Sequence, residues 1–141
     1  MSWWKRLFAR ADPTGAPPPA PAGDPAVEFQ GGLSRDGAVW LAGQPSEAGL
    51  RWSAQQGVGL VINLRTLEEI GQEVGYDEEG TARELGLAFL HVPVASPDKI
   101  APADAARIAA ALEAAGGAVL LHCRSGARAR AMLEQARQAR A

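Results

Sequence analysis

Short apolar runs alternate with longer amphipathic stretches from Leu33 onward. The run 38–42 predicts a strand, closed by Gly43, Gln44 and Pro45, and Ser46 is placed to cap a helix reaching about residue 56. The run 58–64 is almost continuously apolar, the mark of a strand buried on both faces. Residues 87–92 predict another buried strand, stopped by Pro93. Pro102 opens a helix to residue 115, with Ala105, Ile108, Ala109 and Leu112 on one face and Gly116 and Gly117 at its end. A strand over 118–122 and a helix from about 127 to about 139 complete the pattern. The acidic stretch 66–80, with Gly71, Gly75 and Gly80, predicts a loop holding one helical turn, followed by a helix end at 81–85. Helices alternating with buried strands imply an α/β fold, a mostly parallel sheet with helices on both faces.

The first 32 residues break this pattern. Residues 3–10 mix Trp3, Trp4, Leu7 and Phe8 with Lys5, Arg6 and Arg10, a composition suited to weak docking on a membrane surface or a partner. Six prolines between positions 13 and 25 then make an extended linker that cannot pack a core. The expected division is an arm and linker over 1–32 and one domain over 33–141.

Charge narrows the function. A net charge of −2 argues against a nucleic-acid partner. One cysteine forms no internal disulfide, and with two histidines it makes a poor metal set, so no metal or other cofactor is expected. No apolar run approaches the roughly 20 residues that span a bilayer, and the N-terminus lacks the apolar core of a cleavable signal. The expected setting is therefore the reducing cytoplasm, with peripheral membrane contact through the arm. Acidic side chains crowd 68–84, which reads as a solvated face, while arginines crowd 124–141 around the cysteine.

That cysteine organises the chain. Cys123 follows the strand 118–122 and precedes the helix at Ala127. A thiol at a strand end, followed by a glycine turn and a helix start, faces unpaired backbone N–H groups that converge on one spot. Those amides and nearby arginines stabilise negative charge on sulfur and on an oxyanion bound to it. Cys123 is the candidate nucleophile, and Arg128, with its planar fork, the candidate oxyanion clamp. Arg124, Ser125, Gly126 and Ala127 form the cradle for a small anionic substrate, phosphorylated or thiol-bearing, and Arg65 is a further candidate contact at the end of its strand. His122 falls on the opposite side of its strand and reads as a supporting residue.

The pattern His122-Cys123-x-x-Gly126-x-Arg128 resembles the signature of cysteine-dependent phosphatases and the active loop of rhodaneses. Taken with Gly43-Gln44-Pro45-Ser46, Val61 to Arg65, Glu68-Glu69 and His91 to Val94 in this order, the chain is similar to the bacterial beta-lactamase hydrolase-like family, a phosphatase-like domain of which some members are labelled sulfur transferases. The resemblance covers about 33–135. It implies the cysteine-phosphatase fold, a sheet of four or five strands with the active loop at its C-terminal edge. It also implies hydrolysis of phosphate monoesters through a phosphocysteine, with a general acid on an upstream loop, where Asp98 is best placed.

The chain also departs from that pattern. Phosphatases of this kind carry the arginine six positions after the cysteine, where this chain has Ala129, so the cradle is one residue shorter and matches rhodanese length. A rhodanese-like sulfurtransferase, carrying sulfur as a persulfide on Cys123, is the alternative. A non-catalytic anion-binding module is the third reading.

Overall fold

The computed structural model describes residues 24–140, so the expectations for the arm and most of the linker lie outside the described residues. Five strands form one sheet in the order β1-β2-β5-β3-β4. They are β1 (Leu33–Asp36), β2 (Val39–Ala42), β3 (Val58–Asn63), β4 (Ala88–His91) and β5 (Ala118–His122). β1 runs antiparallel to β2, and the other four are parallel. Helices α1 (Glu47–Gln55), α2 (Leu67–Glu73), α3 (Glu78–Glu84), α4 (Pro102–Ala115) and α5 (Ala127–Arg140) supply the crossovers and the C-terminal segment.

Two cores flank the sheet. One joins Ile108 of α4 and Met132 and Leu133 of α5 to Val119, Leu121, Ile62 and Leu64. The other joins Leu50 and Trp52 of α1 and Ala82 of α3 to Val58, Val61 and Leu120. Successive residues of β5 thus serve opposite faces, as the two-residue repeat of a strand dictates. The second core also includes Phe29, 2% exposed and edge-on to Trp52 at 5.9 Å. The packed region therefore begins before residue 33, at the end of a short 3-10 turn, Pro25–Glu28.

α4 and β5 form over the expected residues. The acidic stretch does not behave as a loop. It folds into α2 and α3, capped by Thr66 and Asp77, whose side chains accept from the N–H groups of Glu69 and Gly80. Side-chain oxygens satisfy the free donors of a first turn, and acidic residues there complement the helix dipole.

Because β2, β5, β3 and β4 are parallel, their C-terminal ends meet at one edge, with β5 between β2 and β3. Register places Ala42, His122, Asn63 and His91 in one row across the sheet. The segments following that row deliver Gln44, Arg65, Val94 and the cysteine loop together. Gly43 is where the backbones come closest. An added Cβ would lie 1.4 Å from the Gln30 carbonyl oxygen and 2.5 Å from that of Arg124. Gly43→Ala must therefore displace both the Gln30 segment and the cysteine loop from β2. We expect it to cost about 1–3 kcal/mol, read as a lowered urea midpoint, with faster alkylation of Cys123. An unchanged midpoint would contradict this packing.

Candidate active site

The cysteine loop is suspended from the sheet by its own backbone. The Cys123 N–H donates to Ala42 O at 3.2 Å, and the His122 carbonyl accepts from Leu64 N–H at 2.9 Å. The Arg124 carbonyl accepts from Gln44 N–H at 2.9 Å. The chain then turns at Gly126, whose φ of +103° lies in the region that favours glycine. This turn aims the Gly126 N–H at Cys123 Sγ, 3.1 Å away. A backbone donor on sulfur favours its charged form. The sulfur sits at the floor of the cradle, with Cys123 only 1% exposed.

Arg128 stands over this loop at the start of α5. Its Nη1 donates to Val94 O at 2.9 Å and to Glu69 Oε1 at 2.8 Å, and its Nη2 to Glu69 Oε2 at 2.9 Å. Its charge also acts on the Cys123 sulfur. The hydrogen bond to Arg128, reinforced by Arg65, holds the Glu69 carboxyl down at about 2. Ala129, at the position where the phosphatase pattern has its arginine, is fully buried in the core with Met132 and Leu133. Of the two positions, it is Arg128 whose guanidinium reaches over the loop, and the shorter loop is a real feature of the site.

Arg65 lies beneath the cradle rather than in it. Expected to contact substrate, it is 1% exposed, with Nε on Glu69 at 3.1 Å, Nη1 on Gln44 Oε1 at 3.0 Å and Nη2 on Glu73 at 2.6 Å. With its fork engaged by protein groups, it positions other side chains. Glu73 also takes Arg124 Nε at 3.0 Å. A chain of ion pairs thus leaves the loop at Arg128 and returns to it at Arg124 by way of Glu69, Arg65 and Glu73. Three guanidiniums against two carboxylates leave the chain one net positive charge, and of the three it is Arg128 that acts on the sulfur. α2, which carries both carboxylates, has no buried residue, so these pairs are its main hold on the domain. Beside it opens a groove of about 490 Å³, whose lining includes Gln44, Ser46, Glu73 and Tyr76.

His122 is fully buried on the opposite face from the thiol, as its place in the strand implies. Its Nε2 meets Glu78 Oε2 at 2.5 Å, and its Nδ1 meets the Cys123 carbonyl at 3.1 Å. Burial alone would raise Glu78, but the His122 charge and hydrogen bonds from His122 and Gln44 outweigh it and hold the carboxyl below its ordinary value. Ser125 and Ala127 are exposed along the rim. Asp98 is exposed in the turn after Val94, and its carboxylate accepts from Ser96 Oγ at 2.5 Å; it makes no bond to the loop.

Sequence reasoning missed Glu69, Glu73 and Glu78 as site residues. The spacing of Arg65 and Glu69, four apart across the Thr66 cap, was the one local sign.

A mostly parallel sheet with its cysteine loop at the C-terminal edge, overhung by an arginine in the first turn of the next helix, defines a phosphatase-like domain of the cysteine-phosphatase fold. The chain belongs to the family of the beta-lactamase hydrolase-like protein, phosphatase-like domain, which matches residues 34–141. It is 38% identical over 90 residues to a beta-lactamase hydrolase-like protein of Xylella fastidiosa (strain Temecula1 / ATCC 700964). That match covers 63% of this chain and 21% of the relative, so the chain spans about a fifth of the relative's length. Among solved structures it is similar to a DUF442 protein of Shewanella putrefaciens CN-32, with TM-score 0.67 and 24% identity over 79% of this chain and 69% of that one. It is also similar to P. aeruginosa TpbA, solved in complex with pTyr, with TM-score 0.54 and 20% identity over 77% of this chain and 61% of that one. These two likenesses concern the fold. No helix among the described residues is long and apolar enough to cross a membrane.

Proposed function

We propose that the protein is a cysteine-dependent hydrolase of small phosphate monoesters. The observation that carries this reading is the Gly126 N–H on Cys123 Sγ, within a loop that Arg128 overhangs. Cys123 Sγ attacks phosphorus, and the alkoxide or phenoxide leaves with a proton from Asp98. Loop N–H groups and Arg128 stabilise the equatorial oxygens, and water then releases inorganic phosphate from the phosphocysteine. Arg128 meets the substrate by ceding part of its contact with Glu69. The phosphotyrosine bound by TpbA supports an aryl phosphate as the first substrate to test.

A second reading has its own support. The shorter loop and the carboxylates already on the arginines suit a cargo that adds no charge, and a persulfide replaces one thiolate charge with another. In that case Cys123 carries sulfur taken from a donor such as thiosulfate to an acceptor thiol.

Hydrolysis of an aryl phosphate between pH 5 and 8 separates the two. We expect turnover by the wild type, and a drop of about 10²-fold or more in Asp98→Asn. Wild-type inertness toward aryl phosphates, with thiosulfate-dependent gain of one sulfur atom on Cys123, would select the second reading. Full activity in Asp98→Asn would remove Asp98 from the mechanism while leaving Cys123 in it.

A further inference from the structure

No motif points to Glu78, yet it is buried at the centre of a polar cluster under the cysteine loop. Its Oε1 accepts from Gln44 Nε2 at 2.7 Å and Asn63 Nδ2 at 3.4 Å, and its Oε2 meets His122 Nε2. The orientation of both amides is fixed by Arg65. Arg65 Nη1 can only donate, so Gln44 presents its oxygen to it and its NH₂ to Glu78. Likewise the Arg65 backbone N–H donates to Asn63 Oδ1 at 2.8 Å, which turns the Asn63 NH₂ toward Glu78. Glu78 Oε1 is therefore an acceptor only.

The imidazole of His122 then has acceptors on both sides, the Glu78 carboxylate at Nε2 and the Cys123 carbonyl at Nδ1. A neutral ring carries one N–H and would leave a lone pair facing one of those oxygens. With the Glu78 carboxyl held in its ionised form by its donors, only a ring with hydrogen on both nitrogens satisfies both partners. We propose that Glu78 is a positioning residue that holds His122 as a buried imidazolium, fixing one N–H on the carbonyl of Cys123 and placing a positive charge behind the nucleophilic sulfur.

The groups around this pair are few. Glu78 on α3 and Cys123 in the loop flank the ring, and Arg65 and Tyr76 are the charged and titratable groups that act on Glu78. Gln44 and Asn63 bear no charge. The proton of the pair has no route to substrate, because His122 is fully buried on the face away from the thiol. The effect on Cys123 is electrostatic, through one carbonyl and the helix-side amides. The proposal rests on Cys123 as the nucleophile but not on which group it transfers.

Glu78→Gln isolates the charge. Arg65 still orients Gln44 and Asn63, so the new side chain keeps its oxygen toward their NH₂ groups and turns its own NH₂ to His122 Nε2. The ring becomes neutral while its Nδ1–H stays on the Cys123 carbonyl. Alkylation of Cys123 by iodoacetamide, followed against pH with no substrate present, should shift to higher pH in this variant, by about one pH unit, or about tenfold in rate at pH below the plateau. The plateau rate should stay the same, which a merely loosened loop would not achieve. An unshifted profile would overturn the proposal. The wild-type chain gives a second test that needs no variant to fold. It has two histidines, so a ¹⁵N-histidine-labelled sample shows two ring systems, assigned with His91→Gln. Imidazolium shifts for both His122 nitrogens at pH 7 are expected, and a singly protonated ring would refute the proposal. Neither readout depends on phosphatase or sulfurtransferase activity.

Discussion

Arg128→Ala is expected to lower turnover by about 10²–10³-fold, the loss typical of one preorganised donor to a developing oxyanion. The fold should survive, because Glu69 keeps its bond to Arg65 while the Val94 carbonyl and Glu69 Oε1, a partly exposed carboxylate oxygen, lose their donor. Arg128→Lys should recover little of the activity, since an ammonium has no fork to span Glu69 and substrate together. The same variant has an acid signature. Glu69 ordinarily titrates near 4.5, and in the wild type it stays ionised until about pH 2. A carboxylate lowered in the folded state contributes stability that is complete above its unfolded value and lost as pH falls through its folded one. With Arg128 gone the folded value rises, so that contribution should fade at a higher pH. Acid unfolding followed by tryptophan fluorescence checks this; coincident acid limbs would contradict the Arg128–Glu69 pairing.

Arg65→Met should be the most damaging single change to stability, at about 3–5 kcal/mol. A typical domain has only about 5–15 kcal/mol to lose. Arg65 is 1% exposed, and its guanidinium bonds Gln44, Glu69 and Glu73. Methionine fills similar volume but leaves two carboxylates without the central cation and frees the Gln44 amide to turn. The contrast is Arg137, which bonds Asp36 bidentately with both side chains half exposed. Arg137→Ala should change stability by less than about 1 kcal/mol. Urea midpoints decide; equal losses in the two variants would mean that the ion-pair chain through buried Arg65 is not what holds α2 and the loop together.

The sheet, α4, β5 and the cysteine loop could be read from the sequence because their signals are local. An apolar run with flanking glycines announces β5, and Pro102 with Gly116 brackets α4. The C-terminal edge of β5 then fixes where Cys123 must stand. The carboxylates could not be read in the same way. Glu69 and Glu78 belong to a stretch as acidic as any solvated face, and their partners lie 59 and 44 residues away. Apart from the four-residue spacing of Arg65 and Glu69, nothing local distinguishes a glutamate meeting Arg128 or His122 from one meeting water. Arg65 was drawn into the substrate site by its place after a strand, but the helix that follows returns Glu69 and Glu73 over it. β1 escaped notice because it is an edge strand with a single apolar residue, Leu33, and its hairpin turns on Gly37 at φ +62°. The resemblance to cysteine phosphatases indicated the fold correctly, whereas the burial of Ala129 makes the shorter loop a structural fact.

The central claim is that Cys123 Sγ forms and breaks a bond to phosphorus. The most direct measurement is the intact mass of the protein, acid-quenched during turnover of an aryl phosphate, with the modified peptide identified by digestion. A gain of one phosphoryl group is expected on the peptide holding Cys123, absent in Cys123→Ser, whose turnover falls to background. An unmodified Cys123 together with hydrolysis that persists in Cys123→Ser, or no hydrolysis at all, would contradict it.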